Sequence, residues 1–434
     1  MRKFRDSGID WIGRIPENWK TNKFKHLFRI KKIIAGKLGY DVLSVTQQGI
    51  KVKNITSNEG QIANDYSNYQ LVFPNDFVMN HMDLLTGYVD VSKQDGVTSP
   101  DYRTFYAIHP IEVINQYYLY IFQFCYKTRL FYNLGQGVSN FGRWRLPAEQ
   151  QKEFVLPYPP VKEQQQIVDY LDKKCGEIDS LIALQEQMIE KLKAYKQSVI
   201  TEAVTKGLDP NAKLVPSGID WIGEIPDGWK LAKMNYICSI ITDFVASGSF
   251  ESLRVNVPYL DFPDYAMLVR TADLSGSAKS DKRVYISKHS YDFLRNSNLF
   301  GGEIILPNIG AVGDAYLVPS NLYDKMSLAP NAIMFKTRFF DKYYYYYFCG
   351  GPGSQSLKIM CQATAQPKFN KTQLRGLQVV LPPLEEQKRI AEFLDKKCSD
   401  INRLIEMKQQ KIEKLKDYKK SVIYEAVTGK TIIE

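Results

Sequence analysis

The sequence predicts an α+β protein built as two copies of one plan, each a globular mixed α/β domain followed by a long helix. Three observations carry this. "SGIDWIGRIPENWK" at residues 7–20 returns as "SGIDWIGEIPDGWK" at 217–230, and a stretch with two tryptophans and an Ile-Pro does not recur by chance. Residues 159–206 ("PPVKEQQQIVDYLDKKC…") and 382–429 ("PPLEEQKRIAEFLDKKC…") align without a gap. The two middles differ far more, apart from echoes such as "QYYLYIF" (116–122) against "KYYYYYF" (342–348). The frame is stated twice and its contents diverge.

The bulk composition agrees. A chain of 434 residues exceeds one ordinary core, and 44% hydrophobic with 24% charged residues is the balance of a folded protein. There is no apolar run long enough for a membrane helix, and "MRKFRDSGID" lacks the apolar core of a signal peptide, so a cytoplasmic protein is expected. The six cysteines, Cys125, Cys175, Cys238, Cys349, Cys361 and Cys398, show neither a CxxC pair nor zinc spacing and read as packed thiols. The 57 lysines and arginines outnumber the 47 acids, giving a formal charge of +10. That excess is compatible with a polyanionic partner, of which nucleic acid is the commonest.

Taken in order, each opening motif leads into a middle rich in strand signals. "DFVMNHM", "GYVDVS", "EFVLPYP", "GEIILPNIGAVGDAYLV" and "LQVVLPP" have strand composition bounded by Gly, Pro, Asn and Asp. "QYYLYIFQFCYKTRLFYNL" and "KYYYYYF" read as helices. The Pro-Pro segments start the long helices: proline is tolerated in a first turn, and Glu163 and Glu386 place a carboxylate where the helix dipole favours it. The proline-free run that follows makes a rod of roughly 60 Å at about 1.5 Å per residue. Ile178, Leu181, Ile182, Met188, Ile189, Leu192, Tyr195, Val199 and Ala203 form an apolar stripe in the first copy. Ile401, Leu404, Ile405, Ile412, Leu415, Tyr418, Val422 and Ala426 do so in the second. The stripe is wider than a two-position coiled-coil seam, so each helix is expected to meet more than one neighbour. "GLDPNAKLVP" (207–216) links the copies.

Catalytic motifs are missing. "TGKT" (428–431) has Tyr424 where a phosphate-binding loop needs its first glycine, and "GGPG" (350–353) has no strand-turn-helix setting. No Asn-Pro-Pro-Tyr-like tetrapeptide of the kind amino-methyltransferases use is present, and His26, His81, His109 and His289 show no metal spacing. A non-catalytic chain is expected.

The frame "W-I-G-x-I-P-x-x-W", a variable domain, then "P-P-x-x-E-Q-x-x-I-x-x-x-L-D" and a long helix, all done twice, resembles the specificity (S) subunit of type I restriction–modification systems. Trp11, Ile15-Pro16 and Trp19 with Trp221, Ile225-Pro226 and Trp229 carry the resemblance. So do Pro159-Pro160 with Glu163-Gln164 and Pro382-Pro383 with Glu386-Gln387. "LSVTQQGI" (43–50) and "DGVTSPDY" (95–102) add to it in the first domain, whereas "LPNIGAVGDAYLV" (306–318) departs in the second.

The resemblance implies two target-recognition domains separated by two long antiparallel helices in a pseudo-two-fold repeat. Residues 1–158 would be the first such domain, 159–206 the central helix, 207–216 the linker, 217–381 the second domain and 382–434 the C-terminal helix. Each domain would read one half of a bipartite, asymmetric double-stranded DNA site, and the helices would set the unread spacer. It further implies two modification subunits that bind S-adenosylmethionine and methylate adenine N6, and restriction subunits that use ATP and magnesium; this chain would hold no cofactor. Leu181, Met188, Leu192, Leu404 and Leu415 are where the modification subunits' helices would dock. The opening motifs read as structural, with Trp11 and Trp19 packed on the core near the helix ends.

Base readout takes Arg or Lys for guanine, Asn or Gln for adenine and acids for cytosine. Positions resembling the family's DNA-facing loops are Lys51, Lys53, His81, Asp83, Lys93 and Arg103, with Asn140, Arg143 and Arg145 in "SNFGRWR" (139–145). In the second domain they are Lys279, Lys282, Arg283, Asn308, Lys368, Asn370 and Lys371. Any of them serves equally as a phosphate contact or a solvated residue. Two other readings stay open at this level: a specificity chain of a fused methyltransferase-nuclease system, and a helical adaptor with no DNA role.

Overall fold

A computed structural model describes residues 2–54, 65–137, 144–275, 282–361 and 367–433. The chain divides into two compact units, one of Met1–Glu186 with Gln409–Glu434, the other of Gln187–Lys408. Each unit therefore holds one middle and one half of each long helix, Val161–Lys206 and Leu384–Val427. Each helix begins one residue or less after its proline pair, as expected of residues that cannot donate to a preceding turn. At about 1.5 Å per residue they are some 65–70 Å long, a little more than the sequence suggests. Among the described residues no helix is long and apolar enough to cross a membrane.

The first unit opens with a hairpin, Phe4–Asp6 against Arg14–Pro16, with Arg5 opposite Ile15. Lys20–Lys23 then pairs antiparallel with Val155–Tyr158, so the start of the middle is tied to its end. Between them lies a four-stranded antiparallel sheet in the order Phe28–Lys31, Arg103–Ala107, Phe77–Met79, Val89–Val91. The helix Asn115–Lys127 buries Tyr117, Tyr118, Ile121, Phe122 and Cys125. The core is aromatic: Phe77 stacks on Phe105 with centroids 4.8 Å apart, and Phe28 meets Phe77, Phe105, Tyr118 and Phe122 edge-on. Such pairs add to plain area burial. The hairpin Leu43–Thr46/Gly49–Val52 and the pair Gln70–Val72/Gly96–Thr98 complete the strands among this unit's described residues.

The second unit repeats the frame. Leu214–Pro216 pairs with Glu224–Pro226, and Lys230–Lys233 with Gln378–Leu381. Its four-stranded sheet runs Cys238–Asp243, Ala332–Thr337, Ile304–Pro307, Tyr316–Leu317, covered by the tyrosine-rich helix Asp341–Phe348. It also carries a further four-stranded sheet, Tyr285–Ile286, Ala266–Val269, Met326–Leu328, Asn298–Leu299, with one parallel pairing. Two short helices, Phe250–Asn256 and Lys288–Phe293, start on the side-chain caps of Ser249 and Ser287.

The helix pairing is antiparallel in each unit. In the first, Leu171 and Ile178 share a core with Val422 and Ala426, and Lys419 Nζ meets Asp179 at 2.6 Å. In the second, Ile200 and Val204 share one with Ile390 and Leu394, and Lys196 donates to Asn402 at 2.9 Å. The opening motifs pack here as expected: Trp19 is 1% exposed, and Trp11 stacks on Phe154 at 5.4 Å. Gly429, at φ +73°, lies against Pro16 and Trp19, and Gly207, at φ +77°, lies against Trp229. A left-handed glycine closes each helix where the tryptophan crowds the space a side chain would need.

Candidate nucleic-acid interface

In each unit one loop follows the third strand of the four-stranded sheet: residues 80–88 after Phe77–Met79, and 308–315 after Ile304–Pro307. Both begin with asparagine. Both are tied to the segment that precedes a short helix near the end of the middle. Leu146 N–H donates to the His81 carbonyl at 2.9 Å, and Leu84 N–H to that of Trp144 at 3.1 Å. Correspondingly, Phe369 N–H donates to the Asn308 carbonyl at 3.2 Å, and Ile309 bridges Lys368. Counting back from the Pro-Pro pairs, Arg145 and Lys368 occupy the same position of the frame. Two equivalent loops, each with a cation beside it, are thus held up by backbone bonds that any side chains could share.

In the first unit the fold gathers residues from distant parts of the chain around loop 80–88. The hairpin 43–52 docks on the strand that follows the loop through Ile50 N–H, which donates to Asp90 at 2.8 Å, and reaches the loop itself through Gln47 Nε2, which donates to the Thr86 carbonyl at 3.4 Å. Lys51 is exposed on that hairpin and donates to Gln48. Lys53 is half-buried and lines a cavity of about 310 Å³ with Asn80, Asp83, Ser99, Asp101 and Tyr102. Asp83 turns its carboxylate back on its own loop, accepting from Leu85 and Thr86 N–H at 2.9 Å each. His81 is held down to about 4 by burial and by the charges of Arg103 and Arg145. Its ring is neutral at physiological pH and suited to a base edge more than to a phosphate. Its Nδ1 is buried without a partner among the described residues. Arg145 is exposed, its backbone bridged to Gln136.

Other candidate positions fall elsewhere. Arg103 is 8% exposed and spends its guanidinium on Gln151 Oε1 at 2.5 Å and the Leu146 carbonyl at 3.1 Å. It fastens the segment that carries Arg145 and does not reach the surface. Lys93 is exposed on a turn bonded to Asn75 and Asp76, beyond the far end of Val89–Val91. Asn140, Arg143 and Lys279 lie outside the described residues.

In the second unit Asn308 and Lys368 come together, Asn308 Nδ2 donating to the Phe369 carbonyl at 3.1 Å. Asn370 caps the helix Lys371–Gly376, accepting from Gln373 N–H at 2.9 Å, and Lys371 is paired with Asp243 at 2.8 Å. Both are thereby committed to the fold. Lys282 and Arg283 precede Tyr285–Ile286 on the other sheet, where the Lys282 carbonyl accepts from Arg270 at 2.7 Å.

On the long helices Leu181 and Leu404 are each 44% exposed, and Met188 is partly so. Leu192 is half-buried, and Leu415 packs against the first unit's core, so it faces inward. Leu184 and Met407, which the apolar stripes omit, and Tyr418, which belongs to the second stripe, are exposed on the same pair of helices. The gapless helix alignment would have found the first two, since Leu184 matches Met407, as Tyr195 matches Tyr418.

The chain matches the model of the type I restriction modification DNA specificity domain twice, over residues 16–194 and 236–415. It is 23% identical to the MjaX type I restriction enzyme specificity subunit of Methanocaldococcus jannaschii, across 96% of this chain and 95% of that one. The MjaVIII type I restriction enzyme specificity subunit of the same organism is 27% identical over 63% of this chain and 61% of its own length. Among solved structures, a chain from work on complex assembly and conformational transition of the type I R-M system superposes with a TM-score of 0.69. It does so at 13% identity, covering 96% of this chain and 99% of that one, a likeness of fold.

Proposed function

This chain belongs to the type I restriction modification DNA specificity family, and from that premise we propose that it is the DNA-reading subunit of such a system. Each middle reads one half of a bipartite, asymmetric site on double-stranded DNA. The observation that carries this reading is the pair of loops 80–88 and 308–315, each held by a backbone N–H from the same position of a repeated frame, Leu146 and Phe369, yet unlike in side chains. A duplex is nearly two-fold symmetric in its backbone and not in its bases, so a reader of a split site needs one frame twice and two contents. Half-sites on one face of B-DNA lie about 34 Å apart, a span that helices of this length can set.

The chain itself is non-catalytic on this reading. Two modification subunits supply S-adenosylmethionine and transfer a methyl group to adenine N6, and restriction subunits supply ATP and magnesium. A base is methylated only after leaving the stack, so the reader grips the flanking duplex while a partner's pocket receives the base. The exposed Leu181, Leu184, Leu404 and Met407 offer apolar helix faces to those modification subunits. Exchanging residues 217–381 for the corresponding domain of a relative tests the division of labour. One half of the methylated motif should change and the other persist; a change in both halves, or in neither, would count against it.

A further inference from the structure

Loop 308–315 carries one charged residue, Asp314, whereas its counterpart 80–88 carries His81 and Asp83. Cations that would hold a polyanion beside it must come from elsewhere in the chain. Lys368 is bridged to Ile309 at one end. At the other end stands Lys358, from the helix Pro352–Cys361. Gly313 has φ +103°, and a β-carbon there would lie 2.5 Å from Cε of Lys358 and 3.1 Å from Oγ of Ser354. The left-handed backbone favours glycine, and the face it leaves bare is the one the lysine stem crosses. Lys358 and Lys368 are exposed, and among the described residues neither is paired with a carboxylate. Lys336 and Lys371 in the same unit are paired, with Glu303 and Asp243. Beside loop 80–88 it is Trp144, packed over Gly135 and Gly137, that covers the backbone.

We propose that Lys358 is a DNA-positioning residue of the second domain, laid across Gly313 so that its ammonium contacts a phosphate flanking the second half-site. This rests on the DNA-reading role argued above. An ammonium on a four-carbon stem acts as a point charge, which suits a phosphate oxygen; reading a guanine edge favours the planar fork of arginine.

The test uses the chain assembled with its modification subunits and a duplex bearing the split motif recovered by methylation mapping, beside one with the second half-site scrambled. Lys358→Met keeps the stem and removes the charge. It should weaken binding about 3- to 10-fold, flatten the dependence of log affinity on log salt by about one, and leave the methylated motif unaltered. Lys358→Arg should restore binding. Unchanged affinity and slope in Lys358→Met, with scrambling still abolishing binding, would overturn the assignment and leave the DNA-reading role standing. So would failure of the arginine variant to rescue, or relaxation at one base pair in place of a uniform loss. If scrambling the second half-site made no difference, the reading of this domain would itself fall.

Discussion

The indole N–H of Trp19 donates to Glu163 at 2.8 Å, and that of Trp229 donates to Glu386 at 2.5 Å. The last tryptophan of each opening motif is thus bonded to the first turn of the helix that closes the same repeat. Glu163 also accepts from Asn18 at 2.8 Å and from Arg2. The motif recurs because each domain needs its first and last elements fastened together, and the bond does so where a carboxylate already favours the helix N-terminus. Trp19→Phe keeps an aromatic ring but removes the donor and part of the buried volume. It should cost about 2–4 kcal/mol in denaturant unfolding, the lost bond and the cavity together, and Trp229→Phe should act similarly.

Acid should loosen the first unit in two steps. His81 sits at about 4 against an ordinary 6.5, so its neutral form contributes stability that is complete above pH 6.5 and lost as pH falls through 4. Burial pushes Glu163 upward, but the bonds from Trp19, Asn18 and Arg2 outweigh it and leave the group below its ordinary 4.5. Its contribution is therefore present above 4.5 and drains at lower pH. Unfolding measured against pH should show His81→Gln flattening the slope between pH 6.5 and 4, with Glu163→Gln flattening it only from 4.5 downward.

Arg103 and Arg145 should separate cleanly. Arg103→Met strips the donors from Gln151 and the Leu146 carbonyl and should cost about 2–3 kcal/mol. Arg145→Ala, at an exposed position, should leave stability within about 0.5 kcal/mol and weaken DNA binding. The two readouts are thermal unfolding and a salt titration of binding; equal effects on both from both variants would contradict the placement.

The exposed helix faces should matter to assembly and not to folding. Leu181→Asp and Leu404→Asp, each on a side chain 44% exposed, should leave the unfolding midpoint unchanged. Capture of the modification subunit should fall about tenfold or more, the scale of an interface hot spot.

Four residues inserted near 207–211, between Lys206 and the hairpin Leu214–Pro216, should change the tolerated spacer and leave both half-sites as they were. Methylation mapping reads both at once, and an altered half-site would show that the linker does not act as a ruler.

The repeat, the long helices and the tyrosine-rich helices were legible in sequence because each rests on local pattern: proline placement, three- and four-residue spacing, a recurring motif. The site was less so, because charge in a sequence does not say which way it points. Arg103 looked like a DNA contact and is buried against Gln151; Asn370 looked like a base reader and caps a helix. Lys358 sits 45 positions from Gly313 and meets it only through the fold. Leu415 has the spacing of an exposed stripe, yet the first unit's core draws it inward.

The central claim, that this chain chooses where partner subunits methylate, is tested most directly by mapping N6-methyladenine across a genome with and without it, the partners present. The account predicts that methylation at one split, asymmetric motif vanishes when the chain is removed and returns with it. An unchanged map, with the partner methyltransferase shown to be active, would contradict it.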